Sequence, residues 1–247
     1  MSNKEQFAFG IDSRRKEKYS LRQSRYYVIA KDISNLVITA ENKSERLNIL
    51  DIGVASGVGR LYIDAQINNN LIDHYGADLE IRKDIYKKES YKALYKTDLM
   101  DGMPEVPDNS FDIVICEQVL EHLVKLEKAF KSLERVLKPG GILIVGVPIF
   151  PFGAHLIRKY IIPWTDKIFG VKKIRGHVQA FSLSTFKKLL LKHTDLEIQQ
   201  VRGFRIISGG ILRPLENYKW WLDFNLALGR LVPSLCIEIQ IIAIKTI

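Results

Sequence analysis

From residue 47 onward, apolar and polar positions alternate in blocks that predict buried strands separated by amphipathic helices. The runs Ile113–Ile115 and Ile142–Val145 are continuously apolar, as expected for strands of a parallel sheet whose two faces are both covered. The runs that predict strands occupy residues 47–52, 73–77, 93–97, 111–116, 141–147, 196–201 and 236–245. We therefore predict an α/β fold with a mostly parallel sheet and helices on both faces.

Apolar side chains between two of these runs recur every three or four residues, which predicts an amphipathic helix over residues 119–137. One proline and two glycines in the segment 138–141 are expected to end that helix, because they cannot continue it and favour a tight turn. Ser182 is placed to cap a further helix that runs to Lys192.

The chain divides by composition into two parts. Residues 1–46 are more polar and predict an N-terminal helical segment that packs beside the first strand. Residues 47–247 predict one domain, with lid-like insertions at about 148–176 and 203–235. The insertions mix aromatic and basic residues, a combination that suits an amphipathic or anionic acceptor, including a lipid-linked one.

Charge and cysteine usage narrow the possible functions. The 247 residues carry 37 Lys and Arg against 28 Asp and Glu, a formal net charge of +9. The basic residues are spread over predicted helix faces without a basic tail, so nucleic-acid binding is not expected. Cys116 and Cys236 lack the spacing of a disulfide framework or a metal site, and we expect reduced cysteines, a cytoplasmic protein and no metal. Because no apolar run approaches the roughly 20 residues of a membrane span, membrane contact would be peripheral.

The first predicted strand leads directly into a glycine-bearing turn, Asp51 to Gly59. Such a turn presents backbone N–H groups and the positive end of the next helix to a ligand. Its spacing excludes a dinucleotide fingerprint, because Tyr62 stands where the third glycine would be, and it excludes a P-loop, because Gly-Lys-Ser/Thr is absent. The form that is present is acidic-x-Gly-x-x-x-Gly-x-Gly.

This motif resembles the first motif of the class I S-adenosylmethionine-dependent methyltransferases, and the chain is similar to their small-molecule, type 11 or ubiquinone-biosynthesis-like group. The resemblance covers roughly residues 45–200. It implies a Rossmann-like, seven-stranded sheet with an antiparallel last strand, and S-adenosyl-L-methionine as the cofactor. It also implies that Asp51, Gly53, Ala55 and Gly57 bind that cofactor. Ala55 departs from the family, which commonly has a glycine there, and we expect it to be tolerated at some cost in affinity.

Two acidic residues follow in the order and spacing of the family. Asp78, before Leu79, ends the second strand, and one carboxylate there can accept both hydroxyls of a ribose. Asp98 offers an acceptor for the adenine amino group, and Leu99 offers an apolar neighbour for its ring. The resemblance assigns the ribose to Asp78 and the adenine to Asp98. Taken alone, each would more often be a turn or cap residue.

A third motif lies at the end of the fourth strand, where the resemblance places Glu117 and Gln118 beside the methionine part of the cofactor. Methyl transfer to a hydroxyl also needs a group that accepts its proton. His177 is the best-placed histidine, ahead of an aromatic-Ser helix start, with a structural or substrate-binding role as the alternative.

We thus expect a methyltransferase that acts by direct in-line transfer on the oxygen of a small-molecule, glycan or lipid-linked acceptor, with methylation of nitrogen or carbon left open. One alternative is an RNA or protein methyltransferase, although the Asn/Asp-Pro-Pro-aromatic motif of many amino-directed enzymes is absent after the fourth strand. A second alternative is a catalytically silent, methyltransferase-like binding module.

Overall fold

The computed structural model describes residues 8–41, 45–67, 71–150, 178–206, 208 and 210–246. Its strands, in chain order, are β1 (Leu47–Ile52), β2 (Ile72–Asp78), β3 (Ala93–Lys96), β4 (Phe111–Glu117), β5 (Leu137–Pro148), β6 (Leu196–Phe204) and β7 (Glu238–Lys245). Its α-helices are α1 (Ser24–Glu41), α2 (Val58–Gln66), α3 (Leu126–Val136), α4 (Leu183–His193) and α5 (Lys219–Leu231).

The strands form one seven-stranded sheet in the order β3-β2-β1-β4-β5-β7-β6. The pairs among β1 to β5 are parallel, whereas β7 is antiparallel to both β5 and β6. The predicted Rossmann-like fold with an antiparallel last strand is confirmed. Because the chain turns to opposite sides of the sheet after β1 and after β4, the carboxyl ends of these two strands form the crevice where such sheets bind ligands.

A separate apolar core covers each face of the sheet. Ile113 and Ile115 of β4 pack into the core formed with α1 and α2, while Val114 lies in the core formed with α3 and α4. Successive strand residues point to opposite faces, so two covered faces require the continuous apolar run that the sequence shows. Helix α1 packs on α2, and its Ile33 shares a core with Ile49 of β1.

Two predicted boundaries differ from the structure. The helix predicted over residues 119–137 is split: a 3-10 turn spans Leu120–His122, and α3 begins only at Leu126. The apolar spacing misleads because a 3-10 turn also buries positions three residues apart. The predicted turn at 138–141 lies within β5, where Gly140 has φ +76° and the pairing with β4 shifts register.

The second predicted insertion contributes to the body of the domain. Helix α5 packs on β6 so closely that a Cβ on Gly229 would overlap the carbonyl oxygen of Gly203. Trp221 and Leu222 of α5 are buried against Leu21 of the N-terminal segment. This burial differs from the lid predicted for residues 203–235, and most of the other predicted insertion lies outside the described residues. Among the described residues, no helix has the length and apolar character needed to cross a membrane.

Candidate active site

The turn between β1 and α2 depends on left-handed backbone at three positions. Gly53, Ala55 and Gly57 have φ values of +75°, +45° and +74°. A Cβ on Gly53 would overlap the side chain of Val119, and one on Gly57 would lie 3.1 Å from the backbone nitrogen of Tyr86. Both glycines are therefore required by the turn. Ala55 holds the same conformation with a methyl group, which costs about 1 kcal/mol.

Beside this turn, a cavity of about 410 Å³ opens at the carboxyl ends of β1, β2 and β4. We call it the switch-point cavity. Its volume lies within the range of about 300–1,000 Å³ that is usual for small-molecule sites. Its wall consists of Tyr26, Ile52, Gly53, Ala55, Ala77, Asp78, Leu79, Thr97, Asp98, Leu99, Met103, Glu117, Gln118, Val119, His122 and Leu123. Eight of the ten residues predicted to bind the cofactor are thus brought together on one wall.

The other two, Asp51 and Gly57, are not part of that wall. Gly57 is the N-cap of α2, and its missing side chain leaves room for the neighbouring loop. The Asp51 carboxylate lies behind the turn, where a Cβ on Gly59 would be 2.9 Å from its Oδ2. Burial, and then the charge of Asp78, raise the pKa of Asp51 to about 7. Asp51 and Gly57 therefore support the conformation of the turn without lining the cavity.

Backbone N–H groups orient the two acidic side chains of the wall. Ala55 N–H donates to Asp78 Oδ2 at 3.0 Å, which ties the end of β2 to the turn. Met100 N–H donates to Asp98 Oδ1 at 2.7 Å, so Asp98 caps the 3-10 turn Leu99–Asp101. The cap expected for Asp98 on local grounds is therefore present, and the residue also faces the switch-point cavity.

Glu117 ends β4 in a buried polar network. Gln240 Nε2 donates to its Oε1 at 2.7 Å, and Arg25 Nε lies 3.4 Å from its Oε2. The carboxylate fits only because residue 146 is glycine, where a Cβ would overlap it. Burial raises the pKa of Glu117 to about 8, although Arg25 and Gln240 favour the charged form.

A second cavity, of about 590 Å³, adjoins the first and shares Gln118 and His122 with it. We call it the arginine cavity. Its wall consists of Arg15, Arg22, Arg25, Gln118, Glu121, His122, Pro148, Ile149, Phe150, Arg205, Ile237 and Glu238. Glu121 is buried, and its carboxylate oxygens have no hydrogen-bond partner in the described part of the chain. Burial raises the pKa of Glu121 to about 7.

A family model described as a methyltransferase domain matches residues 50–145, which include the glycine turn, Asp78, Asp98 and Glu117. The chain is 24% identical over 224 residues to the ubiquinone biosynthesis O-methyltransferase of Rickettsia felis, covering 86% of this chain and 84% of that protein. It is 26% identical over 209 residues to the Rickettsia canadensis enzyme of the same name, covering 82% and 80%.

Together with the fold, these similarities support a class I S-adenosylmethionine-dependent methyltransferase. S-adenosylmethionine is accordingly its methyl donor.

Solved structures share the fold of this methyltransferase. The N-methyltransferase NodS of Bradyrhizobium japonicum WM9 has a TM-score of 0.54 at 13% identity, covering 93% of this chain and 99% of that one. The [4+2]-cyclase SpnF has a TM-score of 0.54 at 18% identity, covering 87% and 80%. Since a cyclase is among them, the fold does not determine the reaction, which must be argued from the site.

The residues of the switch-point cavity fit the methyl donor chemically. Carboxylates such as Asp78 and Asp98 match the hydroxyl and amino donors of a nucleoside, and Met103 provides apolar surface for a ring. The buried Nε2 of Gln118 has no hydrogen-bond partner among the described residues, so it is a donor available to a ligand.

Sequence reasoning missed eight residues of this wall, among them Tyr26, Met103 and His122. Tyr26 arrives from α1, more than twenty positions before the glycine turn, and its spacing indicated only a core residue. Met103 lies in a loop without a motif. His122 is half-exposed and borders both cavities. His177 lies outside the described residues, whereas the N–H groups of the following two residues both donate to the Glu121 carbonyl at 2.9 Å.

Proposed function

We propose that this methyltransferase transfers a methyl group to the oxygen of a small-molecule acceptor bound in the arginine cavity. The observation that carries the proposal is that the two cavities meet at Gln118 and His122. A molecule in one would face a molecule in the other across these side chains, as in-line transfer requires. The names of the Rickettsia relatives support oxygen as the acceptor atom. A glycan or lipid-linked molecule with a free hydroxyl is a wider form of the same proposal.

In this proposal, different residues of the switch-point cavity bind different parts of the cofactor. Asp78 accepts the ribose hydroxyls, and Asp98 with Leu99 holds the adenine. Glu117 and Gln118 lie beside the methionine part of the cofactor. The turn from Gly53 to Ala55 lets the backbone approach closely, because it carries no large side chain.

S-adenosylmethionine supplies the methyl group, and the electron pair of the broken carbon–sulfur bond remains on sulfur. The protein must orient the acceptor hydroxyl, exclude water and accept the proton. Met103, Val119 and Leu123 line the switch-point cavity with apolar surface that excludes water. We assign the proton to His177 as general base, because of its place in the sequence ahead of the segment that bonds to Glu121.

Calorimetry with S-adenosylmethionine and S-adenosylhomocysteine tests the cofactor part of the proposal, with micromolar binding expected for both. Transfer of a labelled methyl group to a panel of catechols, amines and thiols then tests the acceptor atom, and we expect label on the catechols. Binding of both cofactor forms together with label on amines alone would contradict oxygen as the acceptor.

His177→Ala tests the base. We expect kcat to fall by about 10²–10⁴-fold, the usual contribution of general base catalysis, while the affinity for S-adenosylhomocysteine is unchanged. His193→Ala, at the end of α4 and away from both cavity walls, is the matched control. Full turnover by the His177 variant would exclude the assignment.

A further inference from the structure

The arginine cavity contains more positive charge than its own carboxylates neutralise. Arg25 and Arg205 both bind Glu238, at 3.0 and 2.7 Å. By contrast, Arg15 and Arg22 have no carboxylate partner in the described part of the chain. Two guanidinium groups therefore border one cavity without an ion pair to any described carboxylate.

The neighbouring arginines show that this is a local exception. Arg14 binds Asp12 at 2.7 Å, Arg202 binds Asp32 at 2.6 Å, and Arg213 binds Glu17 at 2.5 Å. Arginines near the cavity thus have carboxylate partners. Arg15 and Arg22, which line the cavity, have no such partner among the described residues.

The surroundings of Arg22 also disfavour its charged form. The pKa of Arg22 is lowered by burial and then by the charges of Arg205 and Arg15. The Nε of Arg15 is buried and has no hydrogen-bond partner among the described residues. An oxyanion placed between Arg15 and Arg22 would accept several charge-assisted hydrogen bonds and remove this repulsion.

Different residues line the two ends of the arginine cavity. Gln118, His122 and the buried Glu121 form the end that adjoins the switch-point cavity. Arg15, Arg22 and Arg205 also border a smaller cavity of about 220 Å³, which marks the opposite end. Apolar side chains, including Ile149 and Ile237, complete the wall.

We propose that the methyl acceptor carries a carboxylate or phosphate group, which binds between Arg15 and Arg22 while the hydroxyl to be methylated lies near Gln118 and His122. An apolar or aromatic body would connect the two against Ile149 and Ile237. This inference rests on the proposed function for the location of the acceptor, but it makes its own prediction about anion binding.

The test uses the full-length protein saturated with S-adenosylhomocysteine, at constant ionic strength, and three probes of one shape: benzoate, phenyl phosphate and neutral benzamide. Calorimetry should show at least one anion binding 10-fold or more tightly than benzamide. In Arg15→Gln/Arg22→Gln that preference should disappear. Arg82→Gln, which removes an exposed arginine bound to Asp84, is the matched control and should keep the preference.

Neither substituted side chain of the double variant has an ion pair to lose among the described residues, so we expect its melting temperature to match or exceed that of the wild type. Equal binding of anions and benzamide by the wild type would overturn the proposal, as would an anion preference that survives in the double variant. Binding to phosphatidylglycerol vesicles that the double variant loses, without preference among the soluble probes, would assign the arginines to a membrane and overturn it too. If S-adenosylhomocysteine fails to bind, the proposed function fails, while the anion preference can still be measured alone.

Discussion

The two cavities are built in different ways. The switch-point cavity is formed by backbone: a turn with left-handed residues, the ends of parallel strands, and carboxylates oriented by N–H groups such as that of Ala55. The arginine cavity is formed by side chains that come from the N-terminal segment, β5 and the β6–β7 region. Short motifs encode the first kind of site, because each wall needs only a few consecutive residues. The second kind depends on packing between distant segments, which leaves it free to vary with the acceptor.

The largest effect should come from Asp78→Ala, which removes a side chain of the backbone-built cavity. Two hydrogen bonds from ribose hydroxyls to a carboxylate are worth about 3 kcal/mol or more together, so the Kd for S-adenosylhomocysteine should rise 100-fold or more. Calorimetry measures this change. Glu80→Ala, an exposed carboxylate two residues away, should leave the Kd unchanged. A change below threefold for Asp78→Ala would mean that the ribose lies elsewhere.

Glu117 lines the switch-point cavity, and its partner Arg25 lines the arginine cavity. Its pKa is about 8 in the fold, compared with 4.5 as its ordinary value, so the folded protein holds this proton more tightly than the unfolded chain does. Stability from this group is therefore complete below about pH 4.5 and lost as pH rises through 8, by about 5 kcal/mol in total.

Glu117→Gln cannot lose that proton, so the fall in the free energy of unfolding between pH 5 and 8.5 should become shallower. Part of the slope should remain, because the pKa values of Asp51 and Glu121 are also raised, to about 7. Urea unfolding at several pH values checks this, with Glu80→Gln as the exposed control. An identical slope in the Glu117 variant would show that its carboxyl is ionised throughout that range.

A pair of glycines separates the cost of backbone conformation from the cost of lost space. Gly53 and Gly140 have nearly the same φ, +75° and +76°, but a Cβ would overlap Val119 at the first and meet nothing within 4 Å at the second. Gly140→Ala should cost about 1 kcal/mol, and Gly53→Ala should cost about 2 kcal/mol more. Urea unfolding measures both. Equal costs would mean that Val119 moves aside and that the turn accommodates a methyl group at position 53.

Ala55→Gly should give the smallest effect, and in the opposite direction. Relief of the positive φ at this exposed position should stabilise the protein by about 1 kcal/mol, since little packing is lost. Thermal unfolding measures the gain, and calorimetry should show equal or tighter binding of S-adenosylhomocysteine. Weaker binding would mean that the methyl group contacts the cofactor favourably.

The same difference between backbone and side chains decides what could be predicted from the sequence. Continuous apolar runs predicted the parallel strands, and the glycine spacing predicted a turn that the structure contains, because both patterns are local. Tyr26 and Arg25 could not be found in this way, since their place at the site depends on how α1 packs against β1 and α2. Apolar spacing likewise could not distinguish the 3-10 turn at Leu120–His122 from the first turns of α3.

Arg25 and Tyr26 are neighbours on α1, yet one borders the arginine cavity and the other the switch-point cavity. Consecutive residues of an α-helix point about 100° apart around its axis. The two side chains therefore reach both cavities only at one rotation of α1 about that axis. Both residues lie outside the span 50–145 that the family model matches. A fragment or chimera cut to that span would keep β2 to β4 and the glycine turn, but it would lose β6, β7, Tyr26 and most of the wall of the arginine cavity. Transplanting the acceptor preference into another scaffold would therefore require α1 in register.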